Sequence, residues 1–128
     1  MSYIAELQSK NILIVGAGTT GKSVARYLEN LGANYQVIDE KASTIDGVEI
    51  LNAIPDQSSF DIAIVSPGWR KDHSFIESLR NKGVELISEI DFAWNLKSEL
   101  NPEQKWIGLT GTNGKTTTVQ MLESILIA

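Results

Sequence analysis

The spacing of apolar residues switches back and forth along this chain between strand period and helix period, and few folds tolerate that pattern. Ile12-Leu13-Ile14-Val15 is a β-branched run closed by Gly16, which reads as a strand buried on both faces. Val24, Leu28 and Leu31 follow at helical spacing, with Gly32 as a C-terminal stop. Residues 35–38 form a second strand closed by Asp39. The stretch 41–60 is irregular, broken by Gly47 and Pro55, with Val48-Glu49-Ile50 as a brief strand. Residues 61–65 make the next strand, stopped by Ser66-Pro67-Gly68. Asp72 is placed to cap a helix carrying Phe75, Ile76 and Leu79, which ends at Gly83, and 84–87 is a further strand. Ser88 with Asp91 three residues on resembles a capping box for a short helix whose Phe92 and Trp94 read as core.

A polar connector, 97–104, comes next. Trp106-Ile107-Gly108-Leu109 then reads as a strand that feeds a glycine-rich turn and a helix with Val119, Leu122 and Ile125. Alternation with short links predicts an α/β fold, a Rossmann-like doubly wound parallel sheet, over residues 1–97. One strand and one helix bury too little surface to stand alone. Residues 98–128 are therefore expected to open a second unit that this chain does not complete.

Composition removes several chemistries. The chain has no cysteine, which excludes thiolate catalysis, disulfides and Cys-based zinc sites. A single histidine, His73, excludes a two-histidine metal motif, and its place after Asp72 reads as an exposed first-turn position. Acidic residues outnumber basic ones 16 to 11, and only Arg70 and Lys71 are adjacent cations. No basic stripe is present to follow a phosphate backbone, so nucleic acid is not the expected partner. The longest apolar runs are four residues, far short of a membrane span, and no export signal opens the chain. A soluble cytoplasmic protein is expected.

Two glycine loops carry the chemistry. Gly16-Ala17-Gly18-Thr19-Thr20-Gly21 fits the dinucleotide pattern G-x-G-x-x-G after a strand and before a helix, with Asp39 at the end of the next strand where a ribose-binding acid is expected. Extended through Lys22 and Ser23, the same string also fits G-x-x-x-x-G-K-S, the P-loop pattern. The two loop geometries exclude one another. In the second of these readings Lys22 would hold phosphates; in the first it is a solvated helix residue. The blandest reading leaves the glycines to helix–strand packing alone.

The second loop, Gly108-Leu109-Thr110-Gly111-Thr112-Asn113-Gly114-Lys115-Thr116-Thr117, departs from the generic P-loop because position 109 is Leu. It still places backbone donors, a lysine and hydroxyls at a helix N-terminus, a setting that holds phosphates. Lys115 would lie against the outer phosphates and Thr116 could ligate magnesium. As a plainer alternative, Thr116, Thr117 and Thr118 serve only as cap residues.

Gly111-Thr112-Asn113-Gly114-Lys115-Thr116-Thr117 resembles the ATP-binding signature of the Mur ligase and folylpolyglutamate synthetase superfamily. With Gly16-Ala17-Gly18-Thr19-Thr20-Gly21 and Ser66-Pro67-Gly68 in the same order, the resemblance runs from about Lys10 to the end of the chain. It is greatest to the branch that adds D-glutamate. The branch that adds L-alanine resembles it less, since it lacks the Ser-Pro-Gly turn. The resemblance implies peptidoglycan precursor synthesis: ATP phosphorylates the carboxylate of UDP-N-acetylmuramoyl-L-alanine, and the amine of D-glutamate attacks the acyl phosphate.

It also implies residue roles. Gly18, Thr19, Thr20 and Gly21 would line the pyrophosphate of the nucleotide sugar. Asp39, Glu40 and Lys41 would meet its uridine end, and Ser66, Pro67 and Gly68 would border the same crevice. Gly111, Thr112, Asn113, Gly114, Lys115, Thr116 and Thr117 would hold ATP, with Lys115 neutralising the transferred phosphoryl group and Thr116 holding magnesium. Trp69 and Arg70 are read either as loop surface or as substrate contacts. Further catalytic groups are expected beyond residue 128, so the 128 residues alone are expected not to turn over, and the whole ligase is expected to be a monomer. Two rivals remain: an NAD-binding domain built on Gly16, Gly18, Gly21 and Asp39, and a nucleotide-sensing module without catalysis.

Overall fold

The computed structural model describes residues 2–45 and 47–128, excluding the side chain of Ile45. A short helix α1 (Tyr3–Ser9) precedes the central strand β1 (Asn11–Val15), and α2 (Thr19–Leu31) leads to β2 (Asn34–Ile38). The two-residue β3 (Thr44–Ile45) and β4 (Val48–Leu51) come next, then β5 (Ile62–Val65), α3 (Ser74–Asn81), β6 (Glu85–Ser88), α4 (Glu89–Leu100) and α5 (Lys115–Ile127). Among the described residues the strands form one sheet in the order β3-β4-β2-β1-β5-β6. Five strands are parallel, and β3 adds antiparallel to β4 at one edge. Ile12 of β1 sits opposite Tyr35 on one side and Ile62 on the other, so β1 is paired along both edges.

Successive side chains of a strand point to opposite faces, and β1 is apolar on both. Ile12 and Ile14 join Leu7, Val24, Leu28, Phe92 and Leu96 under α1, α2 and α4. Leu13 and Val15 join Ala63, Ile76, Leu79 and Val84 under α3. This is the doubly wound arrangement expected from the alternation, and each fully buried aliphatic side chain contributes about 1.5–3 kcal/mol. α2 ends at Gly32, whose φ of 68° supplies the left-handed stop. α4 opens on the expected capping box of Ser88 and Asp91.

Several local expectations are corrected. Helix α3 is capped by His73, whose ring nitrogen accepts from the Phe75 N–H, and Asp72 instead pairs with Arg70. His73 is therefore part-buried and not an exposed first-turn residue. Helix α4 runs on to Leu100, through the start of the stretch read as a polar connector. Phe92 is buried at 4% exposure, but Trp94 is 49% exposed and packs edge-on against Trp106. α1 was not anticipated; Ser2 caps it, and the Tyr3 N–H donates to Glu99 Oε2 at 2.5 Å, which ties it to α4.

The segment 106–109 is not a strand. Among the described residues no strand lies beside it to take its N–H and C=O groups, and a strand without a ladder has no stable form. The β–loop–α unit expected after residue 98 is thus present only as its turn and its helix. α5 buries no residue, and Val119, Met121 and Ile125 are exposed. No described helix is long and apolar enough to cross a membrane.

Candidate ligand-binding site

The first glycine loop leaves the carboxyl end of β1, and each of its glycines does a different job. Gly16 has a φ of 111°, and its N–H donates to Ile38 O at 2.9 Å. A Cβ on Gly16 would lie 2.7 Å from Ser66 Oγ and 2.8 Å from Trp69 Nε1, so this loop is pressed against the turn after β5. At Gly21 a Cβ would fall 1.9 Å from the Gly16 carbonyl oxygen, because α2 crosses β1 backbone to backbone. Gly18 meets nothing within 4 Å and is the N-cap of α2, with no side-chain cap bond.

The consequence is an open helix start. The first N–H groups of a helix have no partner within it, and here no side chain caps them. Thr19 is exposed and Thr20 half-exposed in that first turn. Donors and dipole together make a seat for an anion. The helix already begins at Thr19, whereas a P-loop helix begins near its lysine. The dinucleotide-type geometry is therefore the one adopted at 16–21, and Lys22 is an exposed helix residue.

Asp39 closes β2 and reaches back to this loop. Its Oδ2 accepts from the Ala17 N–H at 2.8 Å, and its Oδ1 accepts from the Lys41 N–H at 2.8 Å and the Ala42 N–H at 3.4 Å. Burial pushes the carboxyl up, but the N–H groups of Lys41, Ala17 and Ala42 with the Lys41 charge outweigh it, and the acid is held below its ordinary value.

Ser66, half-buried, donates its N–H to Val15 O at 3.0 Å, and Pro67 and Gly68 stand exposed beyond it. A cleft of about 310 Å³ runs between the 39–41 segment and the segment of Gly68, Trp69, Arg70 and His73. It lies at the carboxyl ends of β2 and β5, where open α/β sheets bind ligands. A larger cavity of about 430 Å³ lies at the other end of the sheet, beside Glu6, Glu85 and Glu99. Three carboxylates there suit no phosphate.

Of the residues that line the cleft, sequence reasoning offered Trp69 and Arg70 as possible substrate contacts and missed His73. The Trp69 ring lies 4.6 Å from His73, edge-on, and 5.7 Å from Phe75, stacked. His73 Nε2 reaches Glu40 Oε1 at 2.9 Å, across the cleft. Asp72-His73-Ser74 offers three possible caps in a row, and only the choice of His73 as cap turns its ring inward.

The second loop has its own geometry. Gly111 and Gly114 have φ of 149° and 78°, and Gly114 is the N-cap of α5, again with no side-chain cap bond. Lys115, Thr116 and Thr117 occupy the first turn and are exposed, while Thr118 Oγ1 donates to Gly114 O at 2.9 Å. The structure thus brings the residues 111–117 together around one open helix start.

Residues 10–88 match the family described as Mur ligase MurD-like, N-terminal domain. Similar proteins include the UDP-N-acetylmuramoylalanine--D-glutamate ligase of Clostridioides difficile (strain 630), 37% identical over 133 residues and covering 94% of this chain. That of Thermobifida fusca (strain YX) is 36% identical over 135 residues, covering 96%, and that of Nocardia farcinica (strain IFM 10152) is 35% identical over 133 residues, covering 95%. The chain spans 29%, 28% and 28% of the length of these three relatives. The family match over residues 10–88, which spans both the glycine loop open at Gly18 and Asp39, places this chain in the Mur ligase family, as a MurD-like N-terminal domain.

Proposed function

We propose that this chain binds the nucleotide part of UDP-N-acetylmuramoyl-L-alanine and belongs to a cytoplasmic, monomeric ligase that joins D-glutamate to it. The observation that carries the reading is the uncapped start of α2 at Gly18, beside the cleft between 39–41 and 66–70. The N–H groups of 18–21, with the hydroxyls of Thr19 and Thr20, hold the pyrophosphate. Asp39 fixes the loop, Glu40 and Lys41 border the uridine end, and Ser66, Pro67 and Gly68 face them. Family membership favours a uridine nucleotide over NAD for the same loop.

At the second loop the residues present fit a nucleoside triphosphate, since a glycine cap leaves the helix start free for phosphate oxygens. Lys115 would face the outer phosphates, Thr116 would offer its hydroxyl to magnesium, and 111–114 would wrap the chain around them. ATP would supply the phosphoryl group that activates the substrate carboxylate toward the amine of D-glutamate, and magnesium would neutralise charge on its phosphates. What this chain contributes to that step is charge neutralisation by Lys115 and orientation by the loop.

A ¹⁵N amide NMR titration with UDP-N-acetylmuramoyl-L-alanine, with NAD as control, tests the reading. Shifts gathered at 18–21, 39–41 and 66–68 with NAD silent are expected. A response to NAD and none to the uridine nucleotide would overturn it.

A further inference from the structure

The cleft walls belong to two separate loops, and one polar contact joins them. The Phe75 N–H donates to His73 Nδ1 at 3.1 Å, so that nitrogen must carry a lone pair. The proton of the neutral ring is then on Nε2, which donates to Glu40 Oε1 at 2.9 Å. Trp69 and Phe75, stacked on one another, pack edge-on against the ring, at 4.6 and 5.0 Å between centroids. Three contacts orient the imidazole: one nitrogen caps α3, the ring packs edge-on against Trp69 and Phe75, and the other nitrogen points across to the end of β2. The His73 side chain is 20% exposed and that of Glu40 53%, so the contact lies at the mouth of the cleft.

We infer that Glu40 and His73 form a clasp that sets the distance between the two walls, making both of them positioning residues for the nucleotide end of the ligand. The inference rests on the reading of the cleft as a uridine nucleotide site. Its logic runs against simple charge: Glu40 is an anion bordering the site of an anionic nucleotide, and removing it should favour binding unless its bond to His73 matters more. The stacked Trp69 transmits the effect. It packs edge-on against the clasp ring, and its Nε1 lies against Gly16 of the phosphate loop.

The test is calorimetric titration of the chain with UDP. Glu40→Ala removes the clasp without touching the α3 cap, and His73→Asn keeps a cap-forming side chain while losing the reach. Each is expected to weaken UDP binding about tenfold, the double variant no more than either single one, and Glu40→Gln, which keeps an acceptor, to stay within about twofold of the parent. Unchanged or tighter binding by Glu40→Ala, or additive losses in the double variant, would overturn the clasp while leaving the site reading intact. A parent chain that ignores UDP would overturn the site reading and the clasp role with it. A ligand-free check stands apart from both: imidazole ¹⁵N shifts should show the Nε2–H tautomer of the neutral form, and the Nδ1–H tautomer would refute the geometry.

Discussion

A methyl group on Gly21 would come to rest 1.9 Å from the carbonyl oxygen of Gly16, so α2 and the end of β1 meet with no room for any side chain. Backbone on both sides of that contact has nowhere to go. Gly21→Ala should therefore cost about 3 kcal/mol, at the upper end of overpacking effects, read as a lowered midpoint in urea. Gly18→Ala meets nothing and should cost only about 1 kcal/mol, through the poorer N-cap. If Gly18 borders phosphate, that mild variant should nevertheless lose the uridine nucleotide. A Gly21→Ala chain as stable as the parent would refute the close crossing.

Asp39 makes stability depend on acid. Its carboxyl is held below the ordinary value, so the folded state favours the anion more than the unfolded chain does. That contribution is complete above the unfolded value of about 3.9 and is lost as pH falls through the lowered folded value. Asp39→Asn should melt below the parent at pH 7, and the two curves should converge as pH falls through the lowered folded value. Parallel melting curves across that range would show that the bonds to Ala17 and Lys41 carry no net stability.

Two aromatic residues on α4 should behave oppositely. Phe92 is buried edge-on between Tyr3 at 6.4 Å and Tyr27 at 6.2 Å, and Phe92→Ala should cost about 3–5 kcal/mol. Trp94 is half-exposed, with Trp106 and the Lys97 ammonium beside its ring, and Trp94→Ala should cost under about 1 kcal/mol. Thermal melts of the two variants decide it. Equal losses would mean that Trp94 is core in solution.

Hydrogen exchange should divide the chain. The amides of β1, paired on both edges under buried side chains, should exchange only through global unfolding, whereas those of α5, which buries nothing, should exchange many orders of magnitude faster. Protection of α5 comparable to that of β1 would reveal a cover over Val119, Met121 and Ile125.

The sheet was legible because burial on two faces leaves a mark that periodicity can read: 12–15 and 62–65 are short apolar runs bounded by turn residues, while 35–38 and 84–87 each carry one polar residue, at Gln36 and Glu85. Gly32 and the Ser88 capping box were legible for the same kind of local reason. What escaped depends on contacts distant in sequence. α1 has seven residues and one buried side chain, and it is held by Glu99 from the far end of α4. Segment 106–109 has strand composition but no partner strand. At the candidate site the glycines and Asp39 were singled out by spacing, and the structure brings them together through the Ala17 N–H. His73 was not, because a histidine shows its role only once Glu40 and Trp69 are brought to it.

The position of β1 in the sheet has a consequence during synthesis. Asn11–Val15 meets its first partner, Asn34–Ile38, through a single intervening helix, but meets Ile62–Val65 only after the irregular stretch 41–60. One face of the nascent unit, with Ile12, Ile14, Val24 and Leu28, closes early. Leu13 and Val15 wait on the other face until α3 is made, beside a strand edge that is still unpaired. For the time a ribosome takes to cross that stretch, the chain presents an apolar face and an open edge together, the combination that most invites self-association.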